Sequence, residues 1–130
     1  MDALQPIVTS SGLVGVRYLE PSDGELLVDL AARLSPESRY HRFHVPMEFV
    51  DPLQLRERLQ PYLDVDRKNH VALVAWVNED ERERAIGVAR FKRQPGSIEA
   101  EVAVVVRDDW QGQGVASSLL QQLIAIARGL

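Results

Sequence analysis

The chain has 130 residues, 45% hydrophobic and 26% charged, which suits one globular domain with a sizeable core. Its formal net charge of −4 excludes a mainly electrostatic nucleic-acid binder, because phosphate backbones demand clustered Lys and Arg. The absence of cysteine excludes disulfide frameworks and thiolate chemistry, and no apolar run approaches the ~20 residues that span a bilayer.

Met1-Asp2-Ala3-Leu4-Gln5-Pro6 lacks the basic and apolar stretches of a signal peptide, so a cytoplasmic protein with no membrane and no nucleic-acid partner is expected. Residues 1–12 are polar and bounded by glycine, and read as a flexible arm ahead of a single domain over 13–130. Leu13 to Leu19 reads as a strand. Pro21-Ser22-Asp23 then starts a helix, with Ser22 or Asp23 as cap and Leu26, Leu27, Leu30, Ala31 and Leu34 as its apolar stripe. Ser35-Pro36-Glu37 opens a short helix to about Phe43, and Asp51-Pro52 opens another that Pro61 ends.

The second half changes period. His70 to Val77 and Arg84 to Phe91 read as two strands around a charged turn, Asn78 to Glu83. Arg82, Arg84, Arg90 and Arg93 alternate with Glu79, Asp80, Glu81 and Glu83, which reads as a solvated turn and strand end. Gln94-Pro95-Gly96-Ser97 turns the chain into a further strand, Ile98 to Val106. A last helix spans Gly112 to Arg128, with Leu119, Leu120, Leu123, Ile124 and Ala127 on its apolar side and Gly129 beyond it. The order is strand, two or three helices, three consecutive strands, helix. It implies an α+β domain whose mainly antiparallel sheet is covered by helices.

The richest segment is Val104-Val105-Val106-Arg107-Asp108-Asp109-Trp110-Gln111-Gly112-Gln113-Gly114-Val115-Ala116. A strand enters a polar loop, a glycine turn and then a helix. Gly112 and Gly114 let the backbone approach a ligand, and the first helical N–H groups lie at the positive end of the helix dipole. This builds an anion cradle; the alternative is a turn that merely starts a packed helix, for which one glycine would be enough. A P-loop is excluded because Gly114 is followed by Val115, not Lys. A dinucleotide fingerprint is excluded because Gly112 lies six residues beyond Val106.

Other chemistry-bearing residues are isolated. His41 and His44 are three apart on one helix pattern, but no cysteine or second cluster completes a metal set, so no metal is expected. Ser117 and Ser118 lack a nucleophile elbow, and Ser117 reads as a small residue facing phosphate. His70 reads as a strand start, Trp76 as core, and Trp110 as either core or a shield beside the cradle.

The element order, with Gln111-x-x-Gly114-x-Ala116 opening the final helix, resembles the GCN5-related N-acetyltransferase (GNAT) superfamily. Its signature is Gln or Arg, two residues, Gly, one residue, then Gly or Ala. Leu34-Ser35-Pro36-Glu37-Ser38-Arg39-Tyr40-His41-Arg42-Phe43 is similar to the helix entry of the branch containing bacterial protein-lysine acetyltransferases. The resemblance implies the acyl-CoA N-acyltransferase fold, with a mixed, mainly antiparallel sheet, here lacking the strands that follow the last helix in the family.

The resemblance further implies acetyl-CoA as cosubstrate and a primary amine, on a protein lysine or a small molecule, as acceptor. Its diphosphate would meet Gln111, Gly112, Gln113, Gly114, Val115, Ala116 and Ser117, and its pantetheine the main chain of Val104 and Val106. Glu101, with Glu99 as substitute by strand alternation, would be the base that deprotonates the ammonium. The acceptor would approach near residues 39–43. An open edge over Val102 to Val106 leads us to expect a homo-oligomer. The alternative is a non-catalytic acyl-CoA-binding or protein-interaction module on the same shortened domain.

Overall fold

The computed structural model describes residues 4–43 and 51–130. Five strands, β1 (Ile7–Thr9), β2 (Gly12–Tyr18), β3 (His70–Glu79), β4 (Arg82–Lys92) and β5 (Glu101–Val106), form one sheet in sequence order. All four pairings are antiparallel, so the sheet is a meander with no parallel pair among the described residues. Helices α1 (Gly24–Ala32), α2 (Pro36–Phe43) and α3 (Pro52–Leu59) follow β2, and α4 (Val115–Arg128) closes the order.

Two apolar layers hold the sheet between them. Leu27, Leu30, Leu55 and Leu59 of α1 and α3 pack on Ala72, Val74 and Val88. Val115, Leu119 and Leu123 of α4 pack on Val71, Leu73, Ile86 and Ala89 of the opposite face. Period-two alternation in β3 and β4 feeds both layers. Each fully buried Leu contributes roughly 1.5–3 kcal/mol relative to exposure. Gly15 belongs to this packing too: a Cβ there would lie 2.3 Å from Trp76 Cε2, so the half-buried indole sits on the glycine.

Several expectations shift. Residues 7–9 are a strand, not loose chain, because Ile7 is buried against the α4 layer and the Thr9–Gly12 turn lets β1 pair with β2. Asp23 occupies the cap position of α1 but makes no side-chain cap bond. Its carboxylate instead accepts from Arg17 and from the Glu20 N–H. Asp51 does cap α3, accepting from the Gln54 N–H at 2.9 Å. β5 begins at Glu101 rather than Ile98, which is fully exposed. The last helix begins at Val115 rather than Gly112, because Gly114 is left-handed at φ 84°. Arg84 is no solvated strand end: it is mostly buried and donates to Asp29 of α1 at 2.7 Å.

Candidate functional site

The sheet delivers β5 and the loop that follows it to the mouth of α4. Arg107 fixes that loop. Its side chain is only 4% exposed and donates to Glu79 at 2.9 and 3.2 Å and to Asp109 at 2.7 and 2.8 Å. These charge-assisted bonds tie the loop to the β3–β4 hairpin. The Arg107 guanidinium holds the Asp109 carboxyl below its ordinary range, against a smaller opposing effect of burial. Trp110 and Gln111 then donate their N–H groups back to Arg107 and Asp108, closing a tight 3₁₀ turn over 108–110.

Gly112 and Gly114 follow at φ 78° and 84°, a region that L side chains enter at a cost of ~1–2 kcal/mol. A Cβ on either would meet no atom within 4 Å. Both positions therefore open onto free space. The first bond of α4 runs from the Ser118 N–H to the Gly114 carbonyl. That leaves the N–H groups of Val115, Ala116 and Ser117 without an intrahelical acceptor, at the positive end of a 14-residue helix. Val115 anchors the turn in the core, whereas Ser117 is exposed beside the opening. Free N–H groups at the positive end of a helix suit an anion.

β5 lines one side of the approach. Among the described residues its one strand neighbour is β4, with Val104 opposite Ala89 and Val106 opposite Gly87. The Arg107 N–H donates inward to the Ile86 carbonyl at 2.7 Å. Main-chain groups alternate in an antiparallel ladder, so those of Val102, Val104 and Val106 point to the open edge. The amide of Gln111 donates to the Val106 carbonyl at 3.2 Å, which links the loop to that edge. Val104 and Val106 side chains pack toward α4 at the same time.

Glu101 stands at the far end of β5, exposed and opposite Lys92. It shares a face with Ala103 and Val105. Glu99 lies outside the strand, so alternation does not place it with Glu101; its N–H donates to Ser97 Oγ instead. His41 lies on α2, while its notional metal partner His44 is outside the described residues. His70 is buried, and its Nδ1 donates to the Asp64 carbonyl at 2.8 Å.

The residue reading missed one contribution to the cradle. Ser10 and Ser11, at the β1–β2 turn, both donate to Gln113 Oε1, at 3.0 and 3.1 Å. Two hydroxyls on one carbonyl fix that amide and leave its NH2 end without a partner among the described residues. Farther along, Gln5 and Gln122 exchange two bonds of 2.8 and 2.9 Å. The signal available in the sequence was the turn chemistry of Thr9-Ser10-Ser11-Gly12 after two β-branched residues.

The profile of the acetyltransferase (GNAT) family matches residues 31–130. The chain is 33% identical over 113 residues to an acetyltransferase of Pseudomonas aeruginosa, covering 87% of this chain and 59% of that protein. It is 32% identical over 114 residues to the acetyltransferase Pat of Mycolicibacterium smegmatis, covering 86% of this chain and 32% of that protein. Among solved structures, the GNAT domain of S. lividans PAT superposes with a TM-score of 0.76 at 29% identity, over 96% of this chain and 72% of that one. The chain thus spans less than two thirds of the length of these two curated relatives.

Proposed function

The chain belongs to the GNAT acetyltransferase family, and from that premise we propose that it binds acetyl-CoA and acetylates a primary amine. The observation that carries the reading is the pair of open, left-handed glycines at the mouth of α4. In this reading the N–H groups from Gly112 to Ser117 hold the diphosphate, with the NH2 of Gln113 as an added donor. The outward main-chain groups of Val104 and the N–H of Val106 hold the pantetheine amides. The thioester supplies an activated acetyl group that a free amine attacks directly.

Glu101 is the proposed base. It removes the proton from the acceptor ammonium, which is required before the nitrogen lone pair can attack. Its exposed position beside the open edge supports access by a protein lysine or by a small amine. The edge of β5, unpaired among the described residues and with Val102 more than half exposed, supports self-association of the chain.

The test measures two quantities on one preparation. Acetyl-CoA should raise the melting temperature, and thiol release should follow addition of lysine peptides or small amines. Glu101→Gln should lower turnover by roughly 10²–10⁴-fold while leaving acetyl-CoA affinity intact. Binding without turnover, unchanged by Glu101→Gln, would assign the binding-module reading instead.

A further inference from the structure

Three of the arginines that fold inward are closed by a carboxylate, and Arg39 donates to the Ala32 carbonyl. Arg17 pairs with Asp23 and Glu83, Arg84 with Asp29, and Arg107 with Glu79 and Asp109. Arg93 is satisfied differently, donating Nε to Asn69 Oδ1 at 3.1 Å. Arg90 has neither arrangement. Its guanidinium lies 4.4 Å from the centroid of the Tyr62 ring, and Nη1 is 3.5 Å from His70 Nε2. No carboxylate reaches it among the described residues.

Arg90 packs among aromatic side chains. Tyr62 meets Phe43 edge-on, with centroids 5.1 Å apart, so α2, the Tyr62 turn and β4 clamp one aromatic stack. His70 Nδ1 donates to the Asp64 carbonyl, which turns the lone pair of neutral Nε2 toward Arg90. A cation stacked on an aromatic ring keeps its fork available for a planar anion. Arg90 helps line a small, mostly apolar crevice between α2 and β5, as does Arg42 of α2, with Ala103 opposite Arg90 in register. Lys92 lies two residues along on the same face, opposite Glu101. Glu101 and Arg90 are thus diagonal neighbours, their side-chain roots about 7–8 Å apart.

We propose that Arg90, assisted by Arg42 and Lys92, receives a carboxylate of the acceptor, so that the preferred substrate is an amine with a carboxylate close by. The inference rests on the acetyl-transfer reading for the place of the amine: the ammonium end meets Glu101 and the carboxylate end meets Arg90. Two sources share this chemistry, a lysine flanked by acidic residues in a peptide and a free amino acid.

The experiment uses the full chain and reads binding as well as turnover. A lysine peptide flanked by glutamates is compared with the same peptide flanked by glutamines, and free lysine with lysinamide. The glutamate peptide, or free lysine if the source is an amino acid, should bind at least tenfold more tightly than its neutral counterpart. It should also shift the Arg90 Nε–Hε resonance. Arg90→Gln should reduce the preference to less than twofold, whereas Arg82→Gln, an equal change of charge at the far turn, should preserve it.

Equal affinities within both pairs, or a preference that survives Arg90→Gln, would overturn the proposal. The wild-type comparison and the Arg90 resonance decide the matter even if Arg90→Gln folds poorly. Acetyl-CoA binding is recorded in parallel: its absence defeats the acetyl-transfer reading while the carboxylate preference is still measured.

Discussion

Gly114→Ala separates the cost of backbone strain from the cost of blocking a ligand. Gly114 is left-handed at φ 84°, ψ 5°, so an alanine there should destabilise folding by about 1–2 kcal/mol. Urea denaturation should show this as a lower midpoint with an unchanged slope. No atom lies within 4 Å of the added Cβ, so the methyl group meets no clash in the free protein. The strain is also common to free and bound states and cancels from the dissociation constant. Any lost affinity therefore measures the collision between the methyl group and a ligand at the cradle. An anion at a helix N-terminus gains about 0.3–1 kcal/mol, up to ~2 when partly buried, which corresponds to a rise in Kd for acetyl-CoA of roughly 2- to 30-fold. Calorimetric titration reads it. Gly96 provides the control, being equally left-handed at φ 82° and equally open, but in the β4–β5 turn. Gly96→Ala should cost similar stability and leave Kd unchanged. A Gly114→Ala protein that loses stability yet binds acetyl-CoA within twofold of wild type would refute the cradle.

Three further outcomes follow from the same geometry. Replacing Ser10 and Ser11 together with alanine releases the Gln113 amide and should weaken acetyl-CoA binding several-fold with little loss of stability; unchanged binding would remove the hairpin turn from the site. Light scattering at micromolar concentration should report more than one copy per particle, and a Val102→Lys edge should return it to a monomer. Burial, aided by the charges of Arg90 and Lys92, pushes the His70 imidazole below its ordinary value, with the Asp64 carbonyl opposing. The folded state then binds fewer protons than the unfolded chain, so this stability is full above about pH 6.5 and is lost as pH falls through the lowered folded value. Urea midpoints between pH 5 and 8 should fall toward acid in wild type and flatten in His70→Gln; equal slopes would count against it.

The glycine turn, the strand order and most of the helical stripes were legible because each is local, although Ile124, expected on the apolar side of α4, is exposed. The unbroken apolar run from Val71 to Val77 and the Gln111-x-x-Gly114-x-Ala116 spacing carry their meaning within a few residues. What escaped was nonlocal. Ile7 and Val8 looked like loose chain because their partners are β2 next door and α4 at the other end of the sequence. Arg84 looked solvated among acidic neighbours, yet Asp29 of α1 draws it inward. Asp23 sat where a cap belongs, but a guanidinium six residues upstream outcompetes the helix for its carboxylate. Glu99 lies outside β5 because the Pro95-Gly96 turn ends later than its composition suggests, so the alternation does not reach that residue.

The bonds from Gln5 to Gln122 and from Ser10 to Gln113 join residues 117 and 103 positions apart. Closing such long loops costs entropy before the contacts return anything, so these clasps should form late in folding. A chain emerging from the ribosome would have its β1–β2 ribbon waiting for a counterpart synthesised 103 or more residues later. Maturation of the glycine turn is thereby coupled to completion of α4, and a protein nicked near Ser10 should keep its sheet while losing the fine alignment of the loop.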